Sequence, residues 1–258
     1  MSLNFPYLNY YLPALTKYKV HSPFVFDFIN DVFEDERYYH FFGVIENYRR
    51  NLLATGDKIK INNQLQSINQ LVNSREIDPK TGEILFKAIH LYKPKTLLEI
   101  GTNLGISTLY QATPNPHVPL ISLESAPELS RQTKAYFQKL GTRNITCIAG
   151  PISTNLPSVI NTLKSLEFIF FNKPIDEKAA ISYFEQCLPH LTPNSMVVVR
   201  NPYASLGSAL FWDYLKKQAI TKLSIDIYDL GFIFFRPEQK AIAHYKLIES
   251  WKKPWAIF

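Results

Sequence analysis

Thr96-Leu97-Leu98-Glu99-Ile100-Gly101-Thr102-Asn103-Leu104-Gly105-Ile106-Ser107-Thr108-Leu109-Tyr110 is the stretch that decides the fold. Residues 96–100 are apolar and β-prone, which predicts a buried strand. Gly101 and Gly105 then turn the chain into a helix over 106–112. A buried strand, a glycine turn and a helix start together build a ligand site. Glycine lets backbone approach a ligand closely, and the first helical N–H groups favour anions. The spacing excludes the dinucleotide fingerprint G-x-G-x-x-G, whose second glycine is replaced by Asn103. What remains is E-x-G-x-x-x-G, with the acid Glu99 near the end of the strand.

Composition narrows the class. The chain has 258 residues, 46% hydrophobic and 19% charged, which predicts a globular protein with ample core. A net charge of +6 without a Lys/Arg run reads as a basic solvated surface in preference to a nucleic-acid groove, and leaves action on RNA as a weaker third reading. Cys147 and Cys187 show no metal-ligand spacing and fit two buried thiols in a reducing compartment. The first residues lack a basic segment followed by an apolar one, so no signal peptide is read. No apolar run reaches the ~18 residues of a membrane span. The expectation is a soluble cytoplasmic protein without a membrane partner.

Residues 1–93 read as helices. Ser22-Pro23 predicts an N-cap and first helical residue for a helix over 24–33. A second helix is expected over 38–53, a short one around Leu65 to Val72, and another opened by Asp78-Pro79. From residue 94 the rhythm becomes strand, helix, strand, the pattern of a parallel sheet covered on both faces. Strands are expected over 120–124, 145–149, 168–172 and 196–201. Two further strands, over 223–228 and 232–236, join tightly around Asp229-Leu230-Gly231. Glu124 ends the strand over 120–124, 19 residues past Gly105. In nucleoside-binding α/β folds an acid at that place accepts hydrogen bonds from ribose hydroxyls.

The text E-I-G-T-N-L-G-I-S-T-L-Y resembles motif I of class I S-adenosyl-L-methionine (SAM)-dependent methyltransferases, in particular the catechol-type small-molecule O-methyltransferase branch. Lys19-Val20-His21-Ser22-Pro23-Phe24 resembles the N-terminal region of a bacterial subgroup. The resemblance implies an α/β Rossmann-like fold with a seven-stranded, mostly parallel sheet in the order 3-2-1-4-5-7-6. An N-terminal helical cap over 1–93 would precede a SAM-binding domain over 94–258. It implies that Glu99, Gly101, Thr102, Asn103, Gly105 and Ser107 surround the methionine end of the cofactor, and that Glu124 and Ser125 take the ribose. Gly150 and Pro151 would lie near the adenine. Pro151 has neither a side-chain acceptor nor an N–H, so shape and backbone groups would hold the base.

The subgroup also carries a Gly-rich loop ahead of the Asp78 helix. This chain has Asn62-Asn63-Gln64-Leu65-Gln66-Ser67 there, and no substrate or cofactor role is assigned to that segment. Metal-dependent relatives place an Asp at the end of strand four and Asp-Asn at the end of strand five. The matching residues here are Asn172 and Arg200-Asn201. A hard cation wants carboxylate oxygens and is repelled by arginine, so no metal is expected. Asn172, Arg200 and Asn201 become the candidate catalytic positions. Tyr203, Lys173 and Tyr228 are further polar candidates, each equally readable as a rim residue. Arg200 either anchors an anionic small-molecule substrate or forms a structural ion pair. Two functions follow: methyl transfer to a small molecule without a metal, or a non-catalytic SAM-binding member acting as an interaction subunit. The aromatic tail over 251–258 reads as a packed segment or a homodimer contact.

Overall fold

The computed structural model describes residues 6–172 and 176–257. The N-terminal helices come first: α1 (Pro6–Tyr11), α2 (Pro23–Phe28) and α3 (His40–Ala54). α2 begins as expected, with the Ser22 side chain accepting from the Val25 N–H, and continues into a wider π-type turn over Ile29–Phe33. A two-stranded hairpin follows, β1 (Lys58–Ile61) and β2 (Gln64–Ser67), leading directly into α4 (Ile68–Arg75). This hairpin departs from the expected helix around Leu65. Asn62 and Asn63 both adopt positive φ, 48° and 65°, the backbone of a two-residue hairpin turn that asparagine tolerates. α5 (Pro79–Tyr92) starts at Asp78, whose carboxylate accepts from the Thr81 N–H at 3.0 Å.

The alternating part runs β3 (Leu97–Ile100), α6 (Ile106–Ala112), β4 (Leu120–Glu124), α7 (Pro127–Leu140), β5 (Ile145–Ala149), α8 (Ile152–Ile160) and β6 (Leu166–Phe171). It ends with α9 (Glu177–Cys187), β7 (Leu191–Arg200), α10 (Leu206–Lys216), β8 (Leu223–Asp226), β9 (Leu230–Phe234) and β10 (Ala243–Lys246). The sheet order is β5-β4-β3-β6-β7-β9-β8-β10. Counted from β3 this is 3-2-1-4-5-7-6, the expected order, with β10 as an unforeseen eighth strand. β9 runs antiparallel to both neighbours, and the other pairs are parallel. β3 lies between β4 and β6, so the residues after Ile100 emerge at the middle of the carboxyl edge. There the strand order reverses and a crevice opens.

Alternation along the strands divides the core between the two faces. Leu97, Phe168, Phe170, Met196, Val198, Phe232 and Phe234 point to the face covered by α2 to α7. Leu98, Ile100, Ile169, Phe171, Val197, Val199 and Ile233 point to the face covered by α8, α9 and α10. The N-terminal helices are therefore a wall of the main core. Phe28 of α2 meets Phe232 of β9 edge to face at 5.0 Å. The tail packs back onto the same end of the molecule, with Lys253 Nζ donating to the carbonyls of Leu12 and Ala14. Both cysteines are free and buried. Among the described residues, no helix is long and apolar enough to cross a membrane.

α10 is seated on the sheet through one close approach. A Cβ on Gly231 would lie 2.7 Å from the ring of Trp212, which is fully buried. Inserting a methyl group into such a contact costs roughly 1–3 kcal/mol. Gly231→Ala should lower the unfolding free energy measured by urea titration by that amount, and Trp212→Phe in the same chain should recover part of the loss. Equal, additive losses in the double variant would contradict this packing.

Candidate functional site

The site grows from the turn after β3. Gly101, Asn103 and Gly105 have φ of 100°, 51° and 85°, a backbone path that L side chains rarely follow. The turn closes on itself through Gly105 N–H to the Thr102 carbonyl at 2.9 Å. Gly105 serves packing: a Cβ there would stand 2.6 Å from the Phe137 ring of α7. Two buried carboxylates grip consecutive N–H groups of the turn. Glu124 at the end of β4 accepts from Asn103 N at 2.9 Å. Glu76, just past α4, accepts from Leu104 N at 2.6 Å. Tyr48 of α3 donates its hydroxyl to the Leu104 carbonyl at 2.8 Å.

Glu99 lies under the turn, fully buried, and faces inward. Its two oxygens accept from Ser107 Oγ, Thr108 Oγ1, Gln111 Nε2 and Ser122 Oγ, all at 2.5–2.7 Å. Burial pushes its pKa up to about 7, outweighing the hydrogen bonds that favour the charged form. Glu99 and Ser107, read from sequence as facing a cofactor, are thus the internal fastening of α6 to the sheet. Thr102 is likewise buried, with its hydroxyl 2.6 Å from that of Ser122.

The ends of β6 and β7 hold the remaining candidates. Asn172 is buried and turned inward, donating Nδ2 to the Gly101 carbonyl at 2.7 Å and to Ser107 Oγ at 2.8 Å. Arg200 donates to the Arg75 carbonyl at 2.5 Å and to the Glu76 carbonyl at 2.6 Å, capping α4 with its charge. It also approaches Asn172 Oδ1 at 3.4 Å. Burial lowers the guanidinium pKa and the nearby Glu76 raises it. The structural role of Arg200 is therefore a strut to backbone carbonyls, where sequence allowed an ion pair. Tyr203 points away and donates to Asp226 Oδ2. Burial and that carboxylate push the phenol far above its usual range, which disfavours it as a base. Tyr228 stacks on Tyr203 with ring centres 5.7 Å apart. Lys173 lies outside the described residues.

A cavity of about 720 Å³ opens beside the turn, within the range of small-molecule sites. Its lining brings together Asn103, Glu124, Ser125, Arg200 and Asn201, as the sequence candidates require. Glu99, Gly101, Thr102, Gly105, Ser107, Gly150, Pro151, Asn172 and Tyr203 are not part of that lining. Gly150 instead donates its N–H to the Glu124 carbonyl, and Pro151 starts α8. The opposite wall was not foreseen: Ile61, Asn62, Gln64 and Gln66 from the hairpin, and Ser74 and Arg75 from the end of α4. The segment left without a role is half of the enclosure. The signal was present in the Asn62-Asn63 pair and in the polar/apolar alternation of Lys58-Ile59-Lys60-Ile61.

Glu124 and Asn103 give the cavity its specific chemistry. The Glu124 carboxylate is held by Asn103 N, Ala126 N at 2.9 Å and Ser125 Oγ at 3.3 Å, so it is fixed in place. Asn103 Nδ2 is buried and without a hydrogen-bond partner. A fixed acceptor thus stands beside an unused donor in one wall. The ends of β6 and β7 suit no hard cation: amide groups and a guanidinium stand there. Among the described residues, no three His, Cys, Asp or Glu side chains come together to hold a metal.

Comparison with known proteins agrees with the architecture. Residues 98–201 match a family model described as "Methyltransferase domain". The O-methyltransferase from Bacillus cereus in complex with SAH superposes with a TM-score of 0.57 at 15% identity, over 81% of this chain and 96% of that one. SAH-bound PaMTH1 from Podospora anserina gives 0.58 at 16%, over 77% and 89%. TomG from Streptomyces achromogenes, an O-methyltransferase of tomaymycin synthesis in complex with SAM, gives 0.58 at 16%, over 78% and 91%. No curated protein sequence matches the chain. The fold is that of the class I methyltransferases.

The Glu99 carboxyl carries a testable signature. Its folded pKa of about 7 stands above its ordinary 4.5. Between those values the folded chain keeps a proton that the unfolded chain has released, so stability falls as pH rises through that window. Glu76, also raised to about 7 by burial, acts in the same direction. Glu83, Asp226 and Asp229 are also raised by burial, and Glu99→Gln removes one contribution of this set. Urea midpoints from pH 4.5 to 7 should therefore decline less steeply in the variant, and an unaltered slope would contradict the assignment.

Proposed function

We propose that the chain is a SAM-dependent methyltransferase that modifies a small molecule without a divalent metal at the ends of β6 and β7. The observation that carries this reading is the pairing of Glu124 and Asn103 in the wall of the cavity, at the middle of the carboxyl edge of a methyltransferase fold. Glu124, already oriented by two backbone N–H groups, would accept from the vicinal hydroxyls of a ribose. The unpartnered Nδ2 of Asn103 would donate to an oxygen beside it. SAM, when bound, supplies a methyl group on a positively charged sulfur, ready for in-line displacement. The chain's contribution is proximity, orientation and exclusion of water, with the hairpin and α4 closing the side opposite Glu124.

The metal-free part of the proposal rests on donor chemistry. Asn172 is turned inward to Gly101 and Ser107, and Arg200 places a fixed cation where relatives are expected to gather carboxylates. The titratable side chains lining the cavity are Arg75, Glu124 and Arg200: two are arginines, and the carboxylate of the third already accepts from Asn103 N, Ala126 N and Ser125 Oγ. That observation also favours the second reading, a chain that binds the cofactor without transferring its methyl group.

Calorimetry with S-adenosylhomocysteine separates the outcomes. The unmodified chain should bind it, and Glu124→Ala should weaken binding by roughly 1–3 kcal/mol, the loss for hydrogen bonds to a charged group. Absence of binding to the unmodified chain would sink the cofactor assignment. Turnover, once an acceptor is supplied, should persist in excess chelator; loss restored by magnesium would refute the metal-free site.

A further inference from the structure

We propose that Arg75 is the anion-binding residue of the cavity, and that the molecule it holds is a small carboxylate or phosphate monoester. Calling that molecule the methyl acceptor rests on the function proposed above; the anion site itself does not. The argument starts from the charges that face the cavity, Arg75, Arg200 and Glu124. Glu124 is satisfied locally by Asn103 N, Ala126 N and Ser125 Oγ. Arg200 commits one N–H of each terminal nitrogen to the carbonyls of Arg75 and Glu76, which fastens α4. Its main polar partners are therefore backbone carbonyls.

Arg75 differs. Its guanidinium makes one hydrogen bond, from Nη2 to Gln66 Oε1 at 3.0 Å, a neutral partner from β2. Among the described residues, no carboxylate lies within ion-pair distance of Arg75 or of Arg200. A half-buried guanidinium with four of its five N–H groups unassigned remains at the cavity wall, close in sequence and space to the strut made by Arg200. Arg75 and Arg200 face the cavity against the single carboxylate of Glu124. Arginine's planar fork matches the two oxygens of a carboxylate or the oxygens of a phosphate. The neutral amides of Gln64 and Asn201 in the same lining supply further donors for such a group without adding charge.

The probes are benzoate and phenyl phosphate, with benzyl alcohol as the neutral control. Each is titrated calorimetrically into the full chain, with and without saturating S-adenosylhomocysteine. At least one anion should bind and the alcohol should not; whichever anion binds tighter identifies the oxyanion class. Arg75→Gln should weaken that binding tenfold or more, and Arg75→Lys should recover part of it, since the charge is kept while the fork is lost. Thermal melting confirms that each variant is folded. Undiminished anion binding in Arg75→Gln, equal binding of benzyl alcohol, or no binding of either anion would overturn the proposal. Arg75-dependent binding in a chain that takes no S-adenosylhomocysteine would keep the anion site and remove only its assignment as the acceptor pocket.

Discussion

Two buried carboxylates clasp one turn, and the site depends on that clasp. Glu124 holds the N–H of Asn103 and Glu76 holds the N–H of Leu104. One acid comes from the sheet, the other from the helical segment before it. Backbone N–H groups buried at a positive-φ turn must find acceptors, since leaving one unpaired costs about as much as a lost hydrogen bond, roughly 1–3 kcal/mol. The chain meets that demand from both sides, so residues far apart in sequence fix the same two consecutive N–H groups. Tyr48, bound to the Leu104 carbonyl, adds a third element to the clasp.

That constraint explains why the N-terminal helices belong to the function. α4 is positioned at its C-terminal end by Arg200 and, through Glu76, by the turn itself. The hairpin immediately before α4 is carried along and becomes the far wall of the cavity. The same helices fill one face of the sheet, with Phe28 packed on Phe232 and Phe24 on Phe234. Core packing and site closure are thus two consequences of one docking arrangement. Burial of large aromatic side chains supplies the energy; the two carboxylates and Arg200 supply the register.

The parts of this arrangement that are local in sequence were legible. The strand at Leu97, the glycine turn, the cap at Asp78 and the acid at the end of β4 each follow from a few adjacent residues. The strand order followed from alternation together with the motif. The parts that depend on distant contacts were not legible. Nothing near Glu76 in sequence announces that its carboxylate will reach Leu104, 28 positions on. Glu99 misled for a related reason: an acid at a strand end can face a ligand or the interior, and only Ser107, Thr108, Gln111 and Ser122 converging on it decide the matter. The hairpin was missed because Leu65, Ile68, Leu71 and Val72 suggest a helical stripe, which starts in fact at Ile68, while the Asn62-Asn63 turn signal was passed over.

Arg200 shows how a single position can change what an edge of the sheet does. A carboxylate at the end of β7 would draw cations and leave the carbonyls of Arg75 and Glu76 to find other donors. Arginine instead brings a positive charge and satisfies those carbonyls, which fastens α4. The backbone of Arg75 is bound by Arg200, and among the described residues its guanidinium is bound by Gln66 alone. Positive charge is therefore displaced from the strand end, where it is structural, to the cavity wall, where its donors remain open. The placement of the charges that face the cavity thus follows from how α4 is anchored.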